Sequence, residues 1–417
     1  MKKLLAVVLS SLVLASCDRS RGMDDPIGAR VDAAIPRIER VAKMKFKTKP
    51  RFELRSREQV RDFLLKKFND ATSAEDLRGQ ESAYKAFGLI PDTLNLRRFL
   101  LDLLTEQILG YYDPATKVLY VVRDAPSDLT GITVTHELVH ALQDQYVNLD
   151  SIEKSHGNSD RQAAAQAVLE GQATWVQMQD MLNGADIATR IPGGWDQIRQ
   201  QIRENQSSMP RFANAPMAIQ ESLIFPYLSG AEFVRRYETR HDARTPLARL
   251  PVSTEQVLSE EAFFGAKPDQ PLSVTLPGKP ATGEYEEVMG EFGTRLFLYQ
   301  HSKDNRSAVD GATGWGGDRY RVVNIPKGRG LLWVTAWDTP VDAAQFVDAL
   351  GQALVRRYAT GGASMSAGGV RTYVGKGRTV VVTPREISGT NVVIMVDVPA
   401  GASTALVDAA RIRIGRE

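Results

Sequence analysis

The spacing of apolar positions predicts helices in the first half of the chain. Apolar residues recur every three to four positions from Ile27 to Val41, which places them on one face of a helix. Ser56 is a suitable N-cap for a second helix that ends near Phe68. Residues 94–109 form a third, strongly apolar helical segment. Further helices are predicted from near Thr130, over Ser159 to Leu182, and over residues 216–240.

Alternation of apolar and polar positions predicts strands. Phe52 and Leu54 alternate with polar residues in a short strand. Residues 110–112, the turn residues 113–116 and the β-branched and aromatic residues 117–122 together indicate a hairpin. The pattern in the last part of the chain predicts strands over Leu331 to Trp337, Val370 to Val374, Arg378 to Thr383 and Asn391 to Val398, with a helix from Thr339 to about Tyr358.

A change in composition predicts a domain boundary. Residues 265–283 are rich in Pro and Gly, which interrupt regular structure. The predicted fold class is therefore α+β, with a largely helical domain and a small sheet over residues 29–265 and a smaller α+β domain over residues 280–417. In the second domain, Trp315 to Tyr320 contains two glycines. We interpret it as a tight turn with an Asp–Arg pair, and we recognise no catalytic site in this domain.

The first residues have the layout of a secretory signal. Lys2 and Lys3 precede an apolar run from Leu4 to Leu14, which is too short to span a bilayer as a stable helix. The string LASC that ends at Cys17 resembles the lipobox of bacterial lipoproteins. The resemblance implies a signal peptide over residues 1–16, a lipid-modified Cys17, a tether over residues 17–28, and a place in the bacterial cell envelope on its periplasmic or extracytoplasmic face.

Cysteine and charge content narrow the possibilities. Cys17 is the only cysteine, which fits lipidation better than a disulfide. An ordinary signal peptide with an incidental cysteine is the alternative. Without the two lysines of residues 1–16, the chain has equal numbers of basic and acidic residues, 50 each. A neutral chain without a basic block gives no electrostatic reason to expect nucleic acid as a partner.

The strongest chemical signal is the sequence HELVH at residues 136–140. On a helix, positions i and i+4 lie on the same face, so His136 and His140 can reach one metal ion. Glu137 lies beside them, where its carboxylate can take a proton from a water molecule that the metal activates. The alternative is chance, which is rare with five histidines in 417 residues. The motif therefore predicts a Zn²⁺ site.

A hydrolytic zinc site usually has three protein ligands and one open position. The extended pattern HExxHxxGxxH is absent because residues 143 and 146 are Gln and Tyr, which argues against a metzincin. We predict Glu170 as the third ligand, since a carboxylate among small apolar residues on a helix face needs a partner. Asp160 and Glu153 are the reserve candidates, and a solvent-facing Glu170 is the other interpretation.

These motifs resemble those of a known group of enzymes. HExxH followed by a Glu on a second helix resembles the gluzincin group of zinc metallopeptidases, to which thermolysin belongs. HELVHALQDQ and the later VLEGQAT are also similar to poorly characterised bacterial proteins with HELxHALQDQ and EGxAT. The resemblance covers mainly residues 110–180. It implies His136, His140 and Glu170 as ligands, Glu137 as general base and acid, and a connecting loop longer than that of thermolysin.

Other residues near the motif are candidates for supporting roles. Asp144 is predicted to orient an imidazole or to be a solvated helix residue. The strand Tyr120 to Val122 is predicted to hold a substrate backbone by strand addition, or to belong to the core. A hydrolytic site needs a donor for an oxyanion, and the candidates are Tyr227 and His241. Gln177 is predicted to be exposed.

The sequence therefore predicts a lipid-anchored zinc-dependent hydrolase with a zincin-like domain, and in particular a metallopeptidase that acts on a peptide or protein. One alternative is a catalytically weak envelope binding or assembly factor that keeps the zincin fold. Glu137 argues against it, because such a factor has no need of a base. The other alternative is a zinc hydrolase of a non-peptide bond.

Overall fold

The computed structural model describes residues 26–69, 71–153, 158–182, 209–240 and 245–416. It confirms the α+β fold class, with a large helical region followed by a sheet-rich C-terminal domain. The predicted signal peptide, Cys17 and His241 lie outside the described residues, as does most of the predicted tether. In the part of the chain that is described, none of the helices combines the length and the apolar character that a membrane span requires.

The predicted helices of the first domain follow the apolar periodicity. Ser56 Oγ accepts the Gln59 N–H at 3.2 Å and so caps the second helix. The helices are α1 (Pro26–Ala42), α2 (Arg57–Asn69), α3 (Ala71–Ala86), α4 (Leu96–Gln107), α5 (Ser127–Gln143), α6 (Leu149–Glu153), α7 (Ser159–Met181), α8 (Pro210–Ala213), α9 (Met217–Arg240), α10 (Thr254–Leu258) and α11 (Glu260–Phe264).

A three-stranded sheet lies beside α5. Strands β1 (Arg51–Arg55), β2 (Gly110–Asp113) and β3 (Val118–Val122) are arranged in the order β1-β3-β2. The predicted hairpin of β2 and β3 is confirmed, and β1 pairs with β3 in parallel. Because β3 is paired on both sides and buried throughout, it belongs to the core and cannot bind a substrate strand. The edge strand of this sheet next to α5 is β2, which is also buried throughout.

The C-terminal domain contains a seven-stranded sheet in the order β5-β6-β7-β11-β10-β9-β8, and strand β4 pairs with β12 in a separate two-stranded sheet. Its elements are β4 (Leu272–Thr275), β5 (Tyr285–Glu287), α12 (Gly290–Ser302), α13 (Asn305–Asp310), β6 (Trp315–Ile325), β7 (Gly328–Trp337), α14 (Pro340–Tyr358), β8 (Ser364–Met365), β9 (Arg371–Gly375), β10 (Arg378–Ile387), β11 (Thr390–Pro399) and β12 (Arg413–Arg416).

The interpretation of Trp315 to Tyr320 as a turn is wrong. These residues begin strand β6, in which Gly317 marks a register shift against β7. The charge of Arg319 acts on Asp318, but the hydrogen bonds of Asp318 go to other groups. Its buried carboxylate accepts the indole N–H groups of Trp315 and Trp333 at 3.1 and 3.0 Å, together with two backbone N–H groups at the start of α12. Gly317 allows the close approach of β4, because a Cβ atom there would collide with the Leu272 carbonyl.

The two domains share a core at their junction. Phe87, which directly follows α3, is fully buried and makes edge-on contacts with Phe297, Tyr320 and Trp333 of the C-terminal domain. Such aromatic contacts stabilise beyond the area that they bury. The sequence analysis did not predict α3, whose apolar positions are few. Its role depends on a partner surface more than 200 residues later in the chain.

Candidate metal centre

Helix α5 presents the two histidines of the HELVH motif to the interior. His136 and His140 are one turn apart, are 2% and 7% exposed, and have ring centroids 4.9 Å apart. Helix α5 packs against α1, α7 and β2, and these elements bury the motif. The i, i+4 spacing thus places both imidazoles on the same side of the helix, as the sequence analysis predicts.

Helix α7 brings Glu170 to the two imidazoles. Glu170 Oε2 lies 3.2 Å from His136 Nε2 and 3.3 Å from His140 Nε2, and the residue is 1% exposed. Tetrahedral Zn²⁺ with bonds of 2.0–2.1 Å separates its ligand atoms by about 3.4 Å. Both distances from Glu170 are close to this value, and all three ligand atoms lie within 4.8 Å of one another. Two imidazoles with one carboxylate are a donor set that Zn²⁺ accepts.

Two glutamines orient the imidazoles. His140 Nδ1 lies 2.9 Å from Gln143 Oε1, and His136 Nδ1 lies 3.2 Å from Gln177 Oε1. The Gln143 amide has a defined orientation, because its Nε2 donates to the Leu169 carbonyl at 2.9 Å. Nδ1 of His140 must therefore donate, and its Nε2 is available toward Glu170. Metal-binding histidines are usually held by such a partner on the second nitrogen.

The cluster buries a carboxylate whose negative charge interacts with the two imidazoles. Burial alone would raise the pKa of Glu170, but the neighbouring imidazoles of His140 and His136 hold it below its usual range. Burial would likewise lower the pKa of His140, but the Glu170 carboxylate raises it above the ordinary value for histidine. In the protein without a metal, a proton on the imidazole balances the buried carboxylate. A metal ion would take the place of that proton.

Glu137 lies between the histidine pair and the edge of the small sheet. It is 4% exposed, and its Oε2 accepts the Tyr112 N–H at 2.7 Å. That N–H belongs to β2 and points away from the neighbouring strand β3. The carboxylate therefore lies at the outer edge of β2 and occupies its outward N–H group, and one of its two oxygens is held by the backbone.

Of the two predicted oxyanion donors, Tyr227 lies at the cluster. Its ring is 2% exposed and stacks on His136, with centroids 6.0 Å apart and an interplanar angle of 29°. It belongs to α9, which packs along α7. His241 directly follows the last residue of α9 and lies outside the described residues.

The other carboxylates that the sequence analysis considered lie elsewhere or are not described. Asp144 accepts from Tyr112 Oη at 2.7 Å and from Lys117 Nζ at 2.6 Å, so it holds the hairpin and not an imidazole. Asp160 accepts the backbone N–H of Thr254 at 3.0 Å at the domain junction. The side chain of Glu153 lies outside the described residues.

The prediction that Gln177 is exposed is wrong. The residue is 3% exposed and contacts His136. The sequence analysis used Gln143 only to argue against a metzincin and did not predict its contact with His140. For Gln143, the available signal was a polar side chain one turn after His140. For Gln177, it was a polar side chain on the same face of α7 as Glu170.

Two glycines allow α7 and α9 to approach each other at the cluster. A Cβ atom on Gly171 would collide with the backbone of Gly230, and a Cβ atom on Gly230 would collide with the Ala167 carbonyl. Gly171 directly follows the metal-facing Glu170, and Gly230 lies one turn after Tyr227. The glycine of the EGxAT motif therefore serves the close packing that places both side chains beside His136.

We expect Gly230→Ala to lower the free energy of unfolding by about 1–3 kcal/mol, because the added methyl group forces apart two well-packed helices. Denaturant unfolding monitored by circular dichroism measures this change. Gly131→Ala is the matched control, since Gly131 also lies within a helix and its added methyl group would meet no atom within 4 Å. It should raise stability by about 0.5–1 kcal/mol. Equal stabilities of Gly230→Ala and the wild type would contradict the close contact.

Comparison with known proteins finds a match only in the C-terminal domain. Residues 279–409 match a family model described as a domain of unknown function (DUF8575). No curated protein and no solved structure matches the chain. The matched residues begin more than 100 positions after Glu170, so the match does not include the cluster.

Proposed function

We propose that the protein is a zinc-dependent hydrolase of the gluzincin type, and in particular a metallopeptidase. The observation that carries this proposal is the convergence of His136 Nε2, His140 Nε2 and Glu170 Oε2, with the separate carboxylate of Glu137 beside them. A fourth protein ligand is not found near these atoms among the described residues. Three protein ligands and an open position are the pattern of a catalytic zinc site, whereas structural sites have four.

A bound Zn²⁺ would act as a Lewis acid that polarises a substrate carbonyl and makes water a stronger acid. Glu137 is then the general base, and it returns the proton to the leaving amine as general acid. The hydrogen bond from Tyr112 N–H holds one carboxylate oxygen in place, so the other can exchange the proton. Tyr227, stacked on His136, is the candidate donor to the developing oxyanion.

A peptide substrate is favoured by the position of Glu137 beside β2, the edge strand of the small sheet. An extended peptide can add to an edge strand through main-chain hydrogen bonds, which recognise a peptide backbone and not its side chains. A peptide bound along β2 would lie beside the Glu137 carboxylate, which already accepts the Tyr112 N–H of that strand. Strand β2 thus takes the role that the sequence analysis gave to the neighbouring strand β3.

The test of this function combines metal analysis with a cleavage assay. We expect purified protein to contain about one Zn²⁺ per chain and to cleave members of a peptide mixture, as detected by mass spectrometry. A chelator should abolish cleavage, and added Zn²⁺ should restore it. Protein that holds Zn²⁺ and cleaves no peptide would favour either the binding or assembly factor or a hydrolase of another bond, and a set of ester and amide substrates would separate these two.

We further propose that the protein is anchored in the bacterial envelope by a lipid on Cys17, as the LASC string and the preceding apolar run imply. A single acyl chain binds membranes weakly and reversibly, whereas several chains on one residue give stable anchoring. The nine residues from Cys17 to Asp25 would tether the first domain to the membrane surface, which is shorter than the predicted tether of residues 17–28 because α1 begins at Pro26.

We expect Cys17→Ser to move the protein out of the washed membrane fraction or to leave it with an uncleaved signal peptide. Ser20→Ala, in the same predicted tether, is the control and should remain in the membranes. Mass spectrometry of the N-terminal peptide identifies the lipid. Wild-type protein that is recovered in the soluble fraction with an unmodified Cys17 would exclude the anchor.

A further inference from the structure

A second cluster of carboxylates lies where the two domains meet. Glu255 comes from α10 of the first domain, Asp269 from the connecting segment that follows α11, and Asp338 from the end of β7 in the C-terminal domain. One oxygen from each side chain lies within 4.8 Å of the others. We propose that these three residues form a binding site for a calcium ion that joins the two domains.

The cluster contains buried carboxyl oxygens that face each other. Glu255 is 5% exposed, and no other group of the described residues donates to its Oε2 or to the buried Oδ2 of Asp269. The Glu255 and Asp269 carboxyl groups form a side-chain hydrogen bond with each other. Two facing carboxylates repel each other, so a shared proton or a cation is needed to stabilise them.

Among the described residues, the charges that act most strongly on this cluster are negative. Burial and the hydrogen bond with Asp269 raise the pKa of Glu255, and neighbouring carboxylates, among them Glu291, add to the effect. Burial and neighbouring carboxylates likewise raise the pKa of Asp338. The guanidinium of Arg295 already pairs with Glu291. A bound cation would remove the repulsion, and it would lower the pKa values that the cluster now raises.

The arrangement of the ligands is suited to reversible ion binding. Gln256 donates to the backbone carbonyl of Asp269, so the connecting segment is held against α10. Asp338 is exposed and Asp269 is partly exposed, which leaves a path to solvent for the ion and for water ligands. Glu255 is the buried end of the site.

The all-oxygen donor set selects the ion. Carboxylates without imidazole or thiolate favour Ca²⁺ or Mg²⁺ over Zn²⁺. Ca²⁺ takes about six to eight oxygen ligands at about 2.3–2.6 Å in adaptable geometry. Mg²⁺ binds at about 2.0–2.1 Å, requires nearly regular octahedral geometry and gives up its water reluctantly. Ligands from three separate segments are better suited to Ca²⁺.

The test uses Tb³⁺, which replaces Ca²⁺ and emits light when excited through a nearby tryptophan. Trp337 directly precedes Asp338. We expect the full-length protein, with Zn²⁺ present to fill the other centre, to give Tb³⁺ emission that Ca²⁺ displaces. Glu255→Gln and the exposed change Asp338→Asn should each weaken Ca²⁺ binding at least tenfold, roughly the loss caused by removing even a supporting group of a metal site.

Two controls separate this site from other carboxylates. Glu386→Gln changes an exposed carboxylate of β10, and Glu284→Gln changes a partly exposed carboxylate near β5; both should bind Ca²⁺ like the wild type. Unchanged Ca²⁺ binding in both Glu255→Gln and Asp338→Asn would overturn the proposal. Wild-type protein without Ca²⁺-displaceable emission would also overturn it, and a higher unfolding temperature of Glu255→Gln would then indicate that Glu255 and Asp269 share a proton instead of an ion.

Discussion

Glu137→Gln is expected to retain about one Zn²⁺ per chain, to unfold near the wild-type temperature, and to lose peptide cleavage by a factor on the order of 10²–10⁴. The metal should remain because Glu137 is not one of the three converging ligands. It follows His136 directly, and adjacent helical residues point about 100° apart around the axis. The expected loss is that of proton transfer alone.

The glutamine substitution also preserves the local structure. A side-chain amide oxygen can still accept the Tyr112 N–H that now bonds to the carboxylate at 2.7 Å. Alanine would leave that buried N–H without its partner. A loss of activity could then come from lost stability and not from the missing base. Glutamine, however, cannot accept a proton from water at neutral pH.

The measurements are zinc content, thermal unfolding and the rate of cleavage of a peptide that the wild type hydrolyses. Glu386→Gln makes the same chemical change at an exposed position and should keep full activity. If Glu137→Gln cleaves the peptide as fast as the wild type, the proposed base is wrong. If the variant loses its zinc, Glu137 instead helps to hold the metal.

Glu170→Ala is expected to lose most of its bound zinc, as His140→Ala should, and to lose activity with it. Glu170 Oε2 is the atom that lies within 3.3 Å of both imidazoles, so its removal leaves two ligands for the metal. Loss of a supporting group near a metal typically weakens binding 10–100-fold, and loss of a ligand should cost at least as much. Competition with a chromogenic zinc chelator measures the affinity.

The control for this substitution is Met181→Ala, at the end of the same helix, where the side chain is 37% exposed. It should keep the wild-type zinc affinity. Gln177→Ala should have an intermediate effect, since Gln177 supports His136 without binding the metal. Full zinc retention in Glu170→Ala would mean that the third ligand is a different group.

Local signals in the sequence predicted most of the elements around the site. Helices α1, α2, α4, α5, α7 and α9 follow apolar periodicity, and Ser56, Asn95 and Asn158 cap α2, α4 and α7. The hairpin of β2 and β3 follows its turn residues. These signals act over a few positions, so they can be found without knowledge of the fold. Helix α3 and the first half of β6 were missed, because their apolar or glycine residues contact parts of the chain that are distant in sequence.

The sequence by itself determined the spacing of His136 and His140, because the geometry of a helix turn is the same in every protein. It also narrowed the third ligand to a few carboxylates. Only the tertiary structure decided among them: it places Glu170 at the imidazoles and Asp160 at Thr254. The reason is that helix periodicity is a local property, whereas the approach of α7 depends on packing against α5 and α9.

The same distinction separates the supporting groups from the motif. Asp144 lies one turn after His140 and was the natural candidate to orient it, but the structure gives that position to Gln143 and uses Asp144 to hold Lys117 and Tyr112. Sequence spacing states which side chains can meet along one helix. The order of the strands and the partners across helices follow from how distant segments bury their apolar faces together, and that is decided only in the folded protein.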